Sequence, residues 1–118
     1  YLDKQPFIMD WIDILKKQNN IGYVAPYSGN DNIPTQFFFH RTHWDIFSFI
    51  FPPQIKNWFV DNWVYMLYGK RYGIWKKEYK HMNIGGNPRY EVKDACRLCD
   101  ALVRRHKRVL NDFIKKNI

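Results

Sequence analysis

The stretch of residues 36–69 constrains the fold most strongly, because it joins an aromatic run to two helix-like segments across a pair of prolines. Residues 36–39, with their consecutive phenylalanines, favour a buried strand. Thr42 followed by Asp45 has the spacing of a helix N-cap and an acidic first turn, which predicts a short helix that runs through Ile50. The two prolines that follow must end this helix.

A second helix is predicted to start near Phe59 or Val60. Its apolar side chains recur at helical spacing up to Tyr68, and Gly69 is expected to stop it. Asp61 then lies near the N-terminus and off the apolar stripe. There the positive end of the helix dipole favours the ionised carboxylate.

The residues before this stretch indicate a helix, a strand and a loop. Apolar spacings of one, three and four predict an amphipathic helix over residues 6–17, which the asparagines after it end. Residues 21–25 form a short apolar strand, and the polar residues 26–34 form a loop. The strand that begins at residue 36 is expected to lie parallel to the strand at residues 21–25. A parallel pair of this kind needs a crossover connection. The predicted fold class is therefore α/β, an open mixed sheet flanked by helices.

The C-terminal part contributes an edge strand and a long helix. Aromatic and charged side chains roughly alternate over residues 72–81, which predicts an edge strand or hairpin arm, and residues 83–88 form a flexible turn. The last helix carries an apolar stripe from residue 92 to residue 113, which includes Cys96 and Cys99. We expect this helix to pack across the sheet.

The composition favours a folded domain that meets anions. With 118 residues the chain is one domain at most, and 46% hydrophobic and 19% aromatic residues argue against disorder. A net charge of +8 suits nucleic acid, an acidic membrane surface or a nucleotide diphosphate, although the basic residues can equally form solvated faces. No apolar run approaches the roughly 20 residues of a membrane span. The endomembrane lumen and the cytoplasm both stay open as compartments.

Four motifs follow one another through the middle of the chain: FFFHRTHWDIF at 37–47, FPP at 51–53, NWFVDNWV at 57–64 and YG at 68–69. Together they resemble the second half of a glycosyltransferase with the GT-A nucleotide-sugar fold. In that family a strand leads to an acceptor-site loop, and a carboxylate at the start of the next helix is the catalytic base. The resemblance implies Asp61 as this base. Asn62, where such sequences often carry a second acid, is placed with it at the acceptor site.

A second set of motifs lies nearer the C-terminus, where a strand ending in His81 precedes a glycine-containing turn and RYEV at 89–92. It resembles the C-terminal element of the same glycosyltransferases, in which a late histidine completes the site of a divalent metal bound to the donor diphosphate. The resemblance implies His81 as a ligand of Mn²⁺ or Mg²⁺, and Arg89 beside the diphosphate.

The Asp-x-Asp metal motif of the family has no counterpart in these 118 residues. We expect it to precede Tyr1, so that residues 1–118 are the acceptor-side, C-terminal fragment of a larger domain. The expected partners are a nucleotide-sugar donor, a glycan or protein acceptor, and the N-terminal half of the same protein. The donor sugar and the linkage stay open.

The chemistry of transfer with inversion suits the two main candidates. A carboxylate must accept the proton of the acceptor hydroxyl as its oxygen attacks, while a cation stabilises the departing diphosphate. Asp61 takes the first role, and His81 helps to hold the cation. The structural alternatives are an ordinary acid in a first helical turn and a histidine on a polar surface.

Polar and aromatic residues around this base are candidates for binding. His40, Arg41 and His43 lie between an apolar strand and a helix start, where they can contact acceptor hydroxyls or phosphate; helix capping is the alternative. Trp58 can offer an aromatic face to the apolar side of a sugar ring. Trp63 falls on the apolar stripe and is expected in the core.

Two alternatives belong to other classes. His40-x-x-His43 and Cys96-x-x-Cys99 could form a zinc site, although cysteines in an apolar stripe behave as small hydrophobes. A small basic module could bind single-stranded nucleic acid, or act in a purely structural or interaction role. The basic residues of the last helix are expected mostly opposite the apolar stripe and without aromatic partners, which disfavours a specific nucleic-acid partner.

Overall fold

The computed structural model describes residues 6–27, 32–55, 59–80 and 97–118. The fold of these residues is mixed α/β, with a small three-stranded mixed sheet flanked by helices, as the sequence predicts. In chain order the elements are α1 (Pro6–Lys17), β1 (Tyr23–Tyr27), β2 (Phe38–Phe39), α2 (Thr42–Phe47), α3 (Val60–Tyr72), β3 (Gly73–Lys80) and α4 (Arg97–Asn117).

Strand β1 lies at the centre of the sheet, in the order β2-β1-β3. It pairs antiparallel with β2, where Tyr23 faces Phe39, and parallel with β3, where Tyr23 faces Gly73. The expected parallel pairing of the first two strands is therefore wrong. A parallel neighbour needs a long crossover, usually through a helix. The described residues hold no helix between β1 and β2, whereas α2 and α3 both lie between β2 and β3. The crossover consequently leads to β3, which forms an edge of the described sheet as predicted.

The first strand begins and ends later than the sequence suggests. Residues 21–25 were the expected strand, whereas β1 continues through Pro26 and Tyr27. Proline lacks the N–H that a central strand would donate. Pro26 is tolerated because β2 pairs only as far as Val24, and because the pairing with β3 is irregular between Pro26 and Tyr27.

The side chains of β1 alternate between two cores, as a strand with helices on both faces requires. Val24 packs with Trp11 and Leu15 of α1 in a small cluster. Tyr23 and Ala25 belong to the main cluster, which also contains the buried residues of α2, α3 and α4. The sheet thus separates α1 from the other three helices.

Helix α1 ends where the two asparagines predict. Asn19 and Asn20 both adopt the left-handed conformation, and the Asn20 N–H donates to the carbonyl of Leu15. The Gln18 side chain then donates from Nε2 to the carbonyls of Ile21 and Tyr72, at 3.1 and 3.2 Å. This amide joins the end of α1 to the end of α3.

Helix α2 is shorter than expected. It ends at Phe47 because Ser48 adopts a left-handed conformation (φ 62°) and donates its N–H to the Trp44 carbonyl. The predicted continuation through Ile50 to the prolines is wrong. The chain turns back instead, so that the Ile50 carbonyl meets the ring of His43.

Helix α3 starts where predicted, but Gly69 interrupts it rather than ending it, since helical residues continue to Tyr72. Phe59, in the left-handed region at φ 74°, precedes its first residue, Val60. Gly69 leaves the helical conformation (φ 60°, ψ −157°), which kinks the chain before the last residues of the element. Only a residue without Cβ adopts this backbone conformation readily.

Over its described residues, helix α4 buries the predicted stripe but packs elsewhere than expected. The predicted turn at 83–88 and the first part of the stripe, residues 92–96, lie outside the described residues. Its buried residues Cys99, Leu102, Val103, His106 and Leu110 join the main core, and its chief contacts are with α3 and α2. Packing across the sheet is therefore wrong. The sheet face that carries Tyr23 is already met by α3, whose Tyr68 ring lies 6.2 Å from the Tyr23 ring. No helix in the described residues is apolar enough over sufficient length to cross a bilayer.

Candidate functional site

Asp61 lies in the first turn of α3, on the segment that the motif NWFVDNWV marks. Phe59 turns the chain into the helix, and its carbonyl accepts the first helical hydrogen bond from the Trp63 N–H at 2.8 Å. Trp63 and Val64 are buried, which anchors this turn in the main core. The carboxylate is thereby held at a rigid helix start.

Burial sets the electrostatics of Asp61. The half-buried position raises the pKa of its carboxyl from 3.8 to about 6, because desolvation disfavours the charged form. No hydrogen bond or ion pair from the described residues offsets this burial. The expectation that the helix dipole favours ionisation is therefore outweighed here, since the dipole effect is modest next to desolvation. Asn62 follows it on α3 and is half-buried as well.

His40 satisfies the first backbone N–H of α2, which agrees with the capping alternative for this residue, whereas the predicted cap, Thr42, is the first residue of the helix. Nδ1 of His40 accepts the Thr42 N–H at 3.1 Å and the Thr42 hydroxyl at 2.7 Å. Because Nδ1 accepts, the neutral ring carries its proton on Nε2. His40 is exposed, so Nε2–H stays available as a donor to a ligand.

Arg41 is exposed at the same turn. Its Nε lies 3.9 Å from the Asp45 carboxylate one helical turn on, and both side chains are solvated. Such a pair is weak, since water screens it and its geometry is loose. The guanidinium of Arg41 can therefore leave Asp45 for a carbohydrate hydroxyl or a phosphate.

His43, the third residue of the predicted polar run, lies in the core and is only 2% exposed. Its Nε2–H donates to the Ile50 carbonyl at 2.7 Å, and its Nδ1 accepts the Tyr68 hydroxyl at 2.6 Å. Burial raises the pKa of Tyr68, which keeps this hydroxyl protonated and able to donate. Both ring nitrogens are thus used within the chain in this conformation, which supports a structural function.

His106 of α4 lies on the predicted apolar stripe, but its polar contact was not predicted from the sequence. Its Nδ1 accepts the indole Nε1–H of Trp63 at 3.0 Å, and both side chains are buried. The signal in the sequence was a histidine among apolar residues at helical spacing, together with a tryptophan on another apolar stripe. This hydrogen bond ties α4 to α3 two residues after Asp61 and so supports the helix start.

Three predicted site residues, Trp58, His81 and Arg89, lie outside the described residues, and so does Cys96. The other cysteine, Cys99, is buried, and its Sγ–H donates to the Phe59 carbonyl at 3.7 Å. No group of three or more potential metal ligands converges among the residues that the structure describes. Cys99 and His43 are both buried in the core.

The basic residues of α4 lie as the sequence predicts. Arg104, Arg105, Lys107 and Arg108 are all exposed, whereas Val103 and His106 of the apolar stripe are buried. The aromatic residue of α4, Phe113, packs against the main core instead. Within the described residues, α4 therefore offers cations without an exposed aromatic platform on which bases could stack.

No protein-family model, curated protein or solved structure matches this chain. Its chemistry must therefore be inferred from its own residues, from their geometry and from the motifs between residues 37 and 92.

Proposed function

We propose that this chain forms the acceptor side of a metal-dependent glycosyltransferase with the GT-A fold, which moves a sugar from a nucleotide-sugar donor to an acceptor hydroxyl. The observation that carries the proposal is the Asp61 carboxyl, half-buried in the first turn of α3 with its pKa raised to about 6. A base with a pKa in this range is ionised at neutral pH and still accepts a proton readily. The motif around Asp61 supports the same assignment.

The proposed step is a single displacement. Asp61 accepts the proton of the acceptor hydroxyl while the hydroxyl oxygen bonds to the anomeric carbon of the sugar. The bond from that carbon to the diphosphate breaks, and its electron pair leaves with the diphosphate. The configuration at the anomeric carbon is inverted. Asp61 then returns the proton to solvent, which its pKa of about 6 makes easy at neutral pH.

His40 and Arg41 serve as the acceptor contacts in this proposal. Both are exposed where β2 leads into α2, and each has a donor that no strong internal bond retains. His43 supports the same turn from the core through Ile50 and Tyr68. Asn62 and Trp58 complete the proposed acceptor side on the strength of the motif alone.

The metal and donor residues complete the proposal. His81 would be a ligand of Mn²⁺ or Mg²⁺, and Arg89 would bind the donor diphosphate. The ion would supply positive charge against the diphosphate as it leaves. Since no set of three ligands converges in the described part of the chain, further carboxylates would have to come from polypeptide outside these residues.

The experiment compares two aspartates that each lie in the first turn of a helix. Asp61→Asn and Asp100→Asn are introduced into the full-length polypeptide that contains these residues, and transfer is measured with a panel of nucleotide sugars and Mn²⁺. Loss of the base should lower turnover by roughly 10² to 10⁴ in Asp61→Asn, with donor affinity unchanged. Asp100→Asn, the matched control at an exposed position of α4, should keep its turnover.

Two results would count against the proposal. Turnover near normal in Asp61→Asn would show that another group accepts the proton. Absence of transfer or donor hydrolysis with every nucleotide sugar, in a protein that is folded by circular dichroism, would remove the enzymatic assignment.

A further inference from the structure

A groove of about 310 Å³ lies between the C-terminal halves of α3 and α4. Its apolar part comes from Leu67, Tyr68 and Leu110, which are buried, and from Ile114, which is half-buried. This volume is at the lower end of the range for small-molecule sites, which is about 300 to 1,000 Å³. The groove therefore suits a compact ligand with an apolar portion.

The polar side chains of the groove are cationic or neutral. Arg71 comes from α3 and Lys107 from α4, both exposed, and Asn111 adds an amide. Among the described residues no aspartate or glutamate lines it. The field over the apolar floor is thus positive, which favours an anion.

The guanidinium of Arg71 has an aromatic contact within the chain. Its guanidinium carbon lies 5.3 Å from the centre of the Tyr72 ring, within the range of a cation–π contact. The Tyr72 carbonyl in turn accepts the Gln18 side chain at 3.2 Å, which fixes this end of α3 to α1. A guanidinium held in this way loses less side-chain freedom when it binds a ligand.

The groove is separate from the proposed acceptor site. Its α3 residues begin at Leu67, six positions after Asp61, which is about 9 Å along a helix that rises 1.5 Å per residue. Neither His40 nor Arg41 lines it. Binding here can therefore be measured whether or not the transferase proposal holds.

We propose that this groove binds a small organic anion, a phosphate or sulfate monoester whose apolar group lies on Leu67 and Leu110 while its charged group meets Arg71 and Lys107. A guanidinium matches the oxygens of a phosphate or sulfate in a bidentate manner, and an ammonium from the second helix adds a point charge. The apolar floor distinguishes such a ligand from a bare anion. The small volume favours it over a nucleic-acid strand, which needs an extended groove.

The test is a titration of the ¹⁵N-labelled 118-residue chain, followed by NMR. The ligand is phenyl phosphate; inorganic phosphate supplies the charge alone, and benzyl alcohol supplies the ring alone. Phenyl phosphate should shift the amide signals of Leu67, Arg71, Lys107 and Asn111 to saturation. Each partial ligand should bind about tenfold more weakly or worse, because each lacks one of the two interactions.

Paired variants separate the groove from general attraction by a basic chain. Arg71→Met and Lys107→Met remove a lining charge but keep an apolar stem, and each should weaken phenyl phosphate about tenfold. Lys70→Met and Arg108→Met remove a neighbouring exposed charge outside the groove, and each should change the affinity less than about twofold.

Three results would overturn the proposal. Equal weakening in the control variants would mean that net charge alone attracts the ligand. Inorganic phosphate as tight as phenyl phosphate would remove the role of the apolar floor. Saturable shifts of the same amide signals by oligothymidylate, with no saturable shift by phenyl phosphate, would assign the surface to nucleic acid.

Discussion

The indole Nε1–H of Trp63 donates to Nδ1 of His106 over 3.0 Å, inside a core made largely of aromatic rings. Indole N–H is a donor and never an acceptor, so Nδ1 of His106 must be unprotonated. His43 is constrained in the same way, since the Ile50 carbonyl requires a proton on Nε2 and the Tyr68 hydroxyl donates to Nδ1. Both core histidines are thus neutral in the folded state.

The first prediction tests the bond from Trp63. Trp63→Phe keeps an aromatic ring but leaves the buried Nδ1 of His106 without a donor. We expect a loss of about 1–3 kcal/mol in the free energy of unfolding from the unpaired acceptor, with a further loss from the smaller ring. Trp44→Phe is the control, because Trp44 is 51% exposed and should change stability by less than about 0.5 kcal/mol. Urea unfolding measures both; equal losses would mean that the bond contributes little.

The second prediction concerns acid. Burial lowers the pKa of His43 and of His106 below the ordinary value of 6.5, and Arg105 on the same helix lowers that of His106 further. The unfolded chain then binds more protons than the folded one below that pH, so stability should fall as the pH drops from about 6.5. The neighbouring elements present neutral groups to His106, namely Phe47, Phe49 and Trp63.

Protonated His106 would direct a donor at the Trp63 N–H, and no proton transfer can relieve this contact. Urea unfolding from pH 4.5 to 8 measures the loss. The measurement is made in Asp61→Asn, because the raised pKa of the Asp61 carboxyl would stabilise the fold towards acid and oppose the loss. A stability of this variant that is flat or rises towards acid would contradict neutral core histidines.

The third prediction concerns Asp61, whose contribution has the opposite sign. Its pKa is raised in the folded state to about 6, so the folded chain binds the proton more tightly, and stability falls as the pH rises through that value. We expect a carboxyl titration near pH 6 by ¹³C NMR in the 118-residue chain. Asp61→Asn should make the acid loss steeper below pH 6.5, since it removes the opposing contribution. A midpoint near 4 would show that the carboxyl is solvated and poorly suited as a base.

The fourth prediction compares two glycines with positive φ. A Cβ on Gly22 (φ +98°) would overlap the carbonyl of Tyr72, whereas one on Gly69 (φ +60°) would meet nothing within 4 Å. Gly69→Ala should lose about 1–3 kcal/mol from backbone strain alone. Gly22→Ala should lose more, because the start of β1 must also move away from the end of α3. Thermal unfolding ranks the two variants, and the reverse order would argue against the close approach.

The fifth prediction addresses nucleic acid. If the charge of +8 belongs to solvated faces, oligonucleotide binding should be weak and fall at least tenfold between about 50 and 200 mM salt, with no preference for single strands. Fluorescence anisotropy with a single-stranded and a duplex oligonucleotide of one sequence measures this. A single-strand preference that survives the higher salt would favour the alternative function.

Local periodicity explains what the sequence could predict. Helix α1, the start of α3 beside Phe59, the break at Gly69 and the buried stripe of α4 all depend on neighbours within a few positions, and all are confirmed. The position of Asp61 in a first helical turn follows from the same pattern. Its elevated pKa does not, because the burial that raises it comes from distant parts of the chain.

Long-range contacts explain what the sequence could not predict. The orientation of β2, the packing of α4 on α3 and the bond between Trp63 and His106 each join residues that are far apart in sequence. The cap on α2 is a smaller case: His40 has the right spacing, but Thr42 is the commoner capping type. Propensity therefore favoured the wrong residue, and the left-handed Ser48 ended the helix before the prolines could.

The parallel pairing of Tyr23 with Gly73 has a consequence for folding kinetics. β2, α2 and α3 all lie between these residues in the chain, so the pair closes a loop of about fifty residues before any of its hydrogen bonds can form. Such distant pairings are made late and slow the approach to the native state. Helices α3 and α4 can associate earlier, since they share an apolar seam and need no strand partner. Until β3 arrives, β1 has an open edge, and in that interval a newly made chain is most exposed to pairing with another copy of itself.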